Sequence, residues 1–448
     1  MKKIFQYIML AVVTIVMASC TSDIEEPTAT TGKNNVQLVV GEFPAFGDSQ
    51  TRAIGTTDPG KTSWAEGDEL LLEMTSNTYG TQYATFKYNG SNWELASGEL
   101  SYKEDEVPTF PHVYYAPNYK WEAGELVLKE GKVAGTDEYI EGTAYTRNGE
   151  AIIVEFTAAT RKYSRLRIAT MPNKPITVDI NQYTTAGSSD MKCDQNYALT
   201  SDEKGNAYLY GTFENNSEVT VKYRGATLKT HQFSKETEKA KSYALDATVI
   251  SANSAEEIKS AIEQKVADGK TTIRLNLAPN AGTNEFMAIR EAIKGAAPND
   301  LGTIELTIIG VETIPEEAFY KMLQLKSVRM SDVKEIKKYA FKECQYLTVV
   351  EAPSLNKLCS GAFKKCDQLA KLTFGPINYA DERNWPIFEY VTQNIDLILS
   401  DYQKEMIETD SYLYTANNDR DYAGSNEHNS KNFLGREFRS ITCRYKVK

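Results

Sequence analysis

IPEEAFYKMLQLKSVRMSDVKE (314–335), IKKYAFKECQYLTVVEAPSLNK (336–357) and LCSGAFKKCDQLAKLTFGPINY (358–379) are three consecutive blocks of 22 residues that align without a gap. A fixed period of about 20–29 residues with apolar positions is typical of leucine-rich arrays, in which each unit buries its apolar face by stacking on its neighbours. In each block the Ala-Phe segment predicts a helical turn, and the later alternation of apolar residues predicts a short strand of a parallel sheet.

The apolar positions that recur in all three blocks are expected to form the core of the array, because equivalent positions of stacked units meet. The core columns are Ile314/Ile336/Leu358, Phe319/Phe341/Phe363, Leu325/Leu347/Leu369 and Val328/Val350/Leu372. Binding residues are expected between these columns, where the side chains change from copy to copy. On the solvent side of the predicted strands these are Ser327, Arg329, Val349, Glu351, Lys371 and Thr373.

The pattern resembles the BspA-type leucine-rich repeat of bacterial cell-surface proteins. The residues that carry the resemblance are Ile314-Pro315 with Ala318-Phe319, Ile336 with Ala340-Phe341 and Cys344, and Leu358 with Ala362-Phe363 and Cys366. This resemblance implies a scaffold that binds partners rather than an enzyme.

The array extends beyond the three regular blocks, and we predict an α/β leucine-rich repeat solenoid with terminal caps over residues 251–448. Upstream, Ser254 is a candidate N-cap of one helix and Asn284 opens a second. Strand-like runs at 273–277, 304–308, 395–399 and 438–443 bring the solenoid to about six or seven units. The polar run 417–431 is expected to be a loop insertion.

Composition limits the possible functions. A chain of 448 residues is expected to form two or three domains. Its formal net charge of −11 and isoelectric point near 5.1 do not suit nucleic-acid binding. The 27 tyrosines suit half-buried strands, with an aromatic ligand surface as the alternative.

The N-terminus has the features of a secretory signal over residues 1–19. Lys2-Lys3 precede an apolar stretch that is too short to span a membrane. Met17-Ala18-Ser19-Cys20 resembles a bacterial lipobox, with Met17 in place of the usual Leu. The resemblance implies cleavage between Ser19 and Cys20, a lipid on Cys20 and a tether over 20–35. Acidic residues after Cys20 resemble an export signal to the outer face of the outer membrane. The alternative is an ordinary signal peptide with a chance cysteine.

The pattern of residues 36–250 predicts an all-β, sandwich-like region with two subdomains that divide near 157–165. Short strand-like runs are separated by turn signals such as Asn89-Gly90. The region resembles the fimbrillin-like surface lipoproteins of the Mfa-like and FimA-like group. The matching residues are Thr51-Arg52-Ala53, Trp64, Gly67-Asp68, 70–73, Phe156 and 164–168.

The fimbrillin resemblance implies that proteolysis between Arg52 and Ala53 removes an N-terminal strand, so that a strand of the next subunit can be added. For so short a motif an uncut surface loop is the favoured alternative. The long C-terminal solenoid suits an accessory or tip protein, or an unpolymerised lipoprotein, better than a stalk subunit.

The remaining motifs do not indicate catalysis, a cofactor or a metal site. His112, His231 and His428 lack metal-protease spacing, and no phosphate loop or nucleophile elbow is present. The segment 419–424 is a poor match to a calcium loop. Cys344 and Cys366 share one column that suits a small buried apolar side chain, although a bridge between them stays open.

Two hypotheses follow. The first is a non-enzymatic surface lipoprotein for adhesion, which binds an extracellular protein or glycan through the repeats and other fimbrial subunits by strand addition. The second is a cell-surface glycan-binding or glycan-processing protein. A tryptophan or tyrosine pair over a cleft with two close carboxylates would favour the second.

Overall fold

The computed structural model describes residues 37–48, 60–103, 105–147, 151–186, 193–252, 254–380, 387–391, 394–401, 432–434 and 436–445. These ranges are rich in β-strands and contain two α-helices. No helix among the residues described is both long and apolar enough to cross a membrane. Several sequence predictions lie outside these ranges. They are the signal and tether with Ser19 and Cys20, the Arg52-Ala53 site, and the segments 417–431 and 419–424.

The first part of the chain forms a sheet that closes on itself. Ten strands lie in this part of the chain, and seven of them form the closed sheet. They are β1 (Gln37–Val40), β2 (Gly47–Asp48), β3 (Glu69–Ser76), β4 (Gly80–Tyr88), β5 (Trp93–Gly98), β6 (Thr109–Tyr115), β7 (Tyr119–Glu122), β8 (Glu125–Leu128), β9 (Ile140–Arg147) and β10 (Ala151–Glu155). The closed order is β1-β10-β9-β6-β3-β4-β5, and the pair Leu38 with Trp93 joins β5 back to β1. The strands β7 and β8 form a separate hairpin.

The closed sheet differs from the predicted sandwich-like arrangement, which is not confirmed. A sandwich needs two facing sheets with free edges, whereas here the two edge strands pair with each other. A register irregularity between Thr85 and Phe86 increases the local twist. Gly98, with φ near +88°, allows close approach to the Tyr83 carbonyl. Local periodicity does not distinguish the two arrangements, because both alternate buried and exposed side chains.

A second sheet follows a short 3-10 turn, Ala158–Thr160. Its strands are β11 (Ser164–Ala169), β12 (Pro175–Thr184), β13 (Cys193–Thr200), β14 (Asn206–Phe213), β15 (Glu218–Tyr223), β16 (Ala226–Gln232) and β17 (Lys241–Asp246). The order is β16-β15-β12-β14-β11-β17-β2, with β13 paired to β12. The early strand β2 therefore adds in parallel to β17 at the edge of this second sheet.

The C-terminal part contains both helices and two parallel sheets. The elements are β18 (Ile250–Ala252), α1 (Ala255–Ala267), β19 (Thr272–Leu277), α2 (Thr283–Ala296), β20 (Ile304–Ile309), β21 (Thr313–Ile314), β22 (Leu325–Met330), β23 (Glu335–Ile336), β24 (Val349–Ala352), β25 (Lys357–Leu358), β26 (Lys371–Phe374), β27 (Tyr379–Ala380), β28 (Asp396–Ser400), β29 (Asn432–Phe433), β30 (Arg436–Glu437) and β31 (Ser440–Tyr445). Ser254 caps α1 by accepting a hydrogen bond from the Glu257 N–H.

The 22-residue period becomes the register of the two parallel sheets. In the long sheet, β18-β19-β20-β22-β24-β26-β28-β31, Val328 pairs with Val350 and Val350 with Leu372. In the short sheet, β21-β23-β25-β27, Ile314 pairs with Ile336 and Ile336 with Leu358. Equivalent residues therefore stack at the strand spacing, about 4.8 Å.

The Ala-Phe segments form turns that link the short sheet to the long sheet in each repeat. The turns are closed by backbone hydrogen bonds three residues apart, such as Met322 N–H to the Phe319 carbonyl at 3.1 Å. Neighbouring turns are also joined, because Phe319 N–H donates to the Ala340 carbonyl at 2.7 Å and Phe341 N–H to the Ala362 carbonyl at 2.9 Å. Backbone hydrogen bonds thus join each repeat to the next along the long sheet, the short sheet and the turns.

The second sheet packs against the start of the repeat region. Ile309 at the end of β20 belongs to the hydrophobic cluster of the second sheet. Arg274 on β19 is buried, and its guanidinium donates to the carbonyls of Leu228 and Thr248. Removing the second sheet would take away the hydrogen-bond acceptor that Leu228 provides for Arg274 and would expose the Ile309 side chain to solvent.

Candidate functional site

The outer face of the long sheet is the candidate binding surface of the repeat region. Two columns of side chains alternate with the buried positions of the strands. One column contains Thr272, Glu305, Ser327, Val349, Lys371, Asp396 and Ser440. The other contains Arg274, Thr307, Arg329, Glu351, Thr373, Ile398 and Thr442. The six face residues expected from sequence lie side by side on three neighbouring strands, but Ser327 is buried, with 7% of its surface exposed, and the other five are half-buried or exposed.

Charges on this face are paired across strands. Lys326 Nζ lies 3.0 Å from Glu305 Oε1, and Arg329 Nε lies 2.9 Å from Glu351 Oε2. Arg439 forms an ion pair with Asp396, and Ser440 Oγ donates to the same carboxylate at 2.7 Å. These hydrogen bonds from Arg439 and Ser440 lower the pKa of Asp396 to about 2. The carboxylates of this face are therefore paired with cations, and the face is rich in hydrogen-bonding groups.

The two ends of the face differ in accessibility. At the β19 end, Arg274 is covered by the second sheet. Thr307 and Ser327 are also buried, whereas from β24 onward the column residues are half-buried or exposed, with Lys371 exposed. Val349 and Ile398 are half-buried and are separated by polar neighbours. The described part of this face has no contiguous apolar patch, so a partner would be recognised through hydrogen bonds and charge.

The predicted core columns lie inside the repeat region. All twelve residues of the four columns have no exposed surface in the described structure, including Ile314, Leu325, Leu347, Leu369 and Leu372. The phenylalanines form a continuous stack, with ring centroids 5.0 Å apart between Phe319 and Phe341 and 5.3 Å apart between Phe341 and Phe363. These side chains hold the copies together and do not reach a ligand.

The two column cysteines are free and buried. Cys344 Sγ donates to the Phe319 carbonyl at 2.9 Å and Cys366 Sγ to the Phe341 carbonyl at 3.0 Å. Burial raises the pKa of the Cys344 thiol to about 12. The bridge that the sequence left open is therefore absent, and each thiol satisfies a backbone carbonyl of the preceding copy.

An aromatic cluster lies on the outside of the first sheet, beneath the β7–β8 hairpin. Trp121 packs 4.6 Å from Tyr83 and 6.1 Å from Tyr114, measured between ring centroids. His112 Nδ1 lies 2.8 Å from Glu141 Oε1 beside the cluster. Burial and the nearby Glu141 charge raise the pKa of Tyr114 to about 12. Most of these rings are packed against one another, which is the behaviour of a small core.

A shallow cavity of about 480 Å³ lies beside the β4–β5 hairpin and is lined in part by Glu66, Lys87, Tyr88 and Glu94. Glu94 already accepts a hydrogen bond from Asn89 Nδ2 at 2.6 Å. In the described ranges, no group of three His, Cys, Asp or Glu side chains is placed so that it could hold a metal ion. The cavity therefore offers polar lining without a distinct reactive centre.

Glu305, Asp396 and Ser440 belong to the candidate face but were not among the residues expected from sequence. Glu305 could have been found by counting one period back from Ser327. Asp396 does not follow from the same count, because β26 pairs with β28 at an offset of 25 residues rather than 22, although alternation predicts the strand at 395–399. Ser440 lies 44 residues, or two periods, after Asp396, so counting a single period does not reveal that their strands pair directly.

Comparisons with known proteins agree with the repeat pattern. The BspA type leucine rich repeat region matches residues 301–415 in six copies. This confirms the resemblance of the 314–379 blocks, whereas the fimbrillin resemblance of residues 36–250 stays a prediction. No curated protein matches the chain.

One solved structure, a candidate cell adhesion protein of Bacteroides fragilis, shares 10% identity with this chain. The similarity covers 48% of this chain and 93% of that protein, with a TM-score of 0.25. A similarity this low does not establish a shared fold.

Proposed function

We propose that this protein is a non-enzymatic binding protein of the cell surface, whose solenoid-like repeat region presents the long sheet to a partner. One observation carries the proposal. The recurring columns are all core, while the positions between them change chemistry at a fixed spacing, as in the neighbours Arg329, Glu351 and Thr373. A core that repeats from copy to copy beneath a surface that differs between copies suits recognition, since binding then depends on the side chains of the surface.

The proposed location is the outer membrane, with the chain anchored through a lipid on Cys20 after cleavage between Ser19 and Cys20. The support is the short apolar segment with a lipobox-like end, and the acidic residues Asp23, Glu25 and Glu26 that follow it. The anchor and the repeat region are at opposite ends of the sequence. The two β-sheets between them would then hold the repeat region away from the bilayer.

An accessory or tip role in fimbriae is the finer form of this proposal. It is supported by the position of β1, which lies between β10 and β5 in the closed sheet. Loss of β1 would open two strand edges, and an incoming strand of another subunit could pair with them. Cleavage after Arg52 would make the β1 segment a separate fragment, which an incoming strand would then have to displace from its pairing with β10.

A binding screen tests the proposal. The chain from Thr21 onward, which lacks the acylated cysteine, is screened against extracellular matrix proteins and glycan arrays. The second sheet is kept because it covers Arg274 and Ile309, so a fragment from residue 251 would expose new surface. We expect a protein partner to bind. Glycan binding with no protein partner would contradict the proposal.

Matched variants locate the binding surface. Arg329→Gln with Lys371→Gln removes two cations from the long-sheet face, and Lys259→Gln with Lys270→Gln removes two exposed cations elsewhere. We expect at least a tenfold loss of affinity in the first variant and less than a twofold change in the second. Equal affinities for both variants would place the binding surface elsewhere.

Glycan binding is the alternative function, and the Trp121 indole favours it. Its Nε1 is buried without a hydrogen-bond acceptor in the described structure, beside the half-buried rings of Tyr83 and Tyr114. Such an N–H normally finds a partner, which a sugar hydroxyl could supply. Under this alternative, Trp121→Phe abolishes glycan binding while thermal stability is retained.

A further inference from the structure

The turns of the repeats form a third side, distinct from both sheets, and it carries interleaved lysines and tyrosines. We define the lysine–tyrosine surface as Tyr320, Lys321, Lys338, Tyr339 and Lys342. These residues come from two neighbouring copies. Their turns are fixed to each other by the hydrogen bond from Lys321 N–H to the Lys342 carbonyl at 2.9 Å. The positions of the side chains are therefore set by a rigid backbone.

Three ammonium groups lie over two aromatic rings. Lys342 Nζ is 5.0 Å from the centroid of the Tyr320 ring and 4.8 Å from that of Tyr339. Lys321 Nζ lies 5.2 Å from the Tyr320 centroid, and Lys338 Nζ lies 4.8 Å from the Tyr339 centroid. Ring faces hold the charges in place without neutralising them, because a ring carries no net charge.

The positive charge of this surface is only partly compensated. Among the residues described, neither Lys338 nor Lys342 has a carboxylate within ion-pair distance. Glu343 is shared by Lys321 at 3.5 Å and Lys365 at 3.7 Å. Residues 314–379 contain eleven Lys and Arg against seven Asp and Glu, whereas the whole chain has a net charge of −11. Glu316 and Glu317 are the exposed acidic residues at the edge of the same turns.

The adjoining helix α2 continues the basic character. Arg290 Nη1 donates to the Glu317 carbonyl at 2.9 Å, and Lys294 Nζ donates to the Tyr320 carbonyl at 3.3 Å. Burial and repulsion from Arg290 and Lys321 lower the pKa of Lys294. Burial is the larger cause of this shift, and the neighbouring cations add to it.

The backbone conformation of these turns is unfavourable for the side chains they carry. Lys321 and Tyr339 both have φ near +56°, in the left-handed region. The residue equivalent to Tyr339 in the next copy is Gly361, with φ of +63°. Glycine would suit each position best. Non-glycine residues take the same conformation at equivalent positions, as at Glu317 with φ of +55° and Lys365 with φ of +57°.

We propose that the lysine–tyrosine surface binds an anionic polysaccharide, laid along the direction in which the repeats stack. The cations lie on the turns of two adjacent copies, which are spaced at about 4.8 Å, close to the length of one sugar unit. Half-exposed tyrosine rings between the cations can contact sugar rings, whereas an acidic polypeptide needs no such rings. This surface is separate from the long-sheet face, so the inference does not depend on the partner proposed for that face.

The test compares binding of dextran sulfate and uncharged dextran to the chain from Thr21 onward at low salt, by calorimetry. We expect dextran sulfate to bind, dextran not to bind, and the affinity to fall as salt is raised. Lys338→Gln with Lys342→Gln should weaken binding at least tenfold. Lys326→Gln with Lys371→Gln removes the same charge from the long sheet and should change the affinity less than twofold.

A second variant separates the rings from the charges. Tyr339→Gly keeps the left-handed turn and all the lysines, and should weaken dextran sulfate binding about threefold or more, while Tyr339→Phe should not. Polyglutamate is the competing probe. The inference is overturned if dextran sulfate does not bind, or if both double lysine variants lose the same affinity for it. It is also overturned if polyglutamate binds as tightly as dextran sulfate and its affinity is unchanged by Tyr339→Gly.

Discussion

Arg161 and Pro44 are joined by two hydrogen bonds across 117 residues of sequence. Arg161 Nε and Nη2 donate to the Pro44 carbonyl at 2.9 and 2.6 Å, and the guanidinium carbon lies 3.7 Å from the centroid of the Phe46 ring. The same guanidinium forms a buried ion pair with Glu138. The segment that connects β1 to β2 is therefore held from inside the molecule.

Cleavage after Arg52 is predicted to leave the N-terminal segment in place. β1 pairs with β10 over four residues, and Trp64 Nε1 donates to the Gly41 carbonyl at 2.8 Å. After treatment with an arginine-specific protease, we expect two fragments on a denaturing gel but one species in gel filtration. An Arg52→Lys variant is the control that should resist this cut. Release of the segment without denaturant would contradict the prediction.

Arg161→Gln is predicted to destabilise the protein by about 3–5 kcal/mol, because it leaves the buried Glu138 carboxylate without its partner. Burial raises the pKa of Glu138, and Arg161 is the main group that opposes this shift, with a smaller effect from Arg165. Without Arg161 the loss of unfolding free energy caused by ionising the buried Glu138 should therefore grow as the pH rises above about 4.3, the ordinary pKa of a glutamate.

Urea unfolding monitored by fluorescence measures this effect. Arg224→Gln, at an exposed arginine, should change the unfolding free energy by about 0.5 kcal/mol or less. The double variant Arg161→Met with Glu138→Leu should recover most of the loss, since an apolar pair removes the unpaired charge. Equal unfolding free energies for Arg161→Gln and Arg224→Gln would contradict the prediction for Arg161.

Phe341→Ala is predicted to cost about 3–5 kcal/mol and to loosen both neighbouring copies. The Phe341 ring lies between those of Phe319 and Phe363, so its removal leaves a cavity between the two rings. Movement of one neighbouring side chain would not fill this cavity. Hydrogen exchange should show lost protection in the strands of all three copies. Val349→Ala, at a half-buried position on the sheet face, should cost about 1 kcal/mol or less.

The cysteines are predicted to differ in reactivity. Cys359 and Cys443 are half-buried, whereas Cys344 and Cys366 are fully buried with raised thiol pKa values caused by burial. A thiol reagent followed by peptide mapping should modify Cys359 and Cys443 in the native protein, and Cys344 and Cys366 only in guanidinium. A Cys344–Cys366 crosslink in a non-reducing digest would refute this assignment.

Asp396 is predicted to contribute to acid sensitivity at the end of the long sheet. Its pKa is lowered to about 2 by Arg439 and Ser440, against about 3.9 in an unfolded chain. Its stabilisation is therefore present above pH 4 and is lost as the pH falls through 2. Asp396→Asn should be slightly less stable than the wild type at pH 7, and equally stable below pH 2. The difference should also shrink in high salt.

The repeat region was the most predictable part of the fold. Ile314, Ile336 and Leu358 align in sequence and also pair in the short sheet, because a constant period makes equivalent residues meet in parallel strands. Ser254 could be recognised as a helix cap because capping depends on the next three residues only. The candidate face was predictable wherever the period was kept, as at Arg329 and Glu351.

By itself, the sequence determined the repeat period, the core columns and the first helix cap, since each depends on residues close in sequence or on a fixed spacing. Tertiary structure decided how the first sheet closes, how β2 joins the second sheet beside β17, and how Arg161 meets Pro44. It also decided that Lys342 lies over the rings of both Tyr320 and Tyr339. Such contacts depend on pairing between distant segments, and local periodicity is the same whichever partners are chosen.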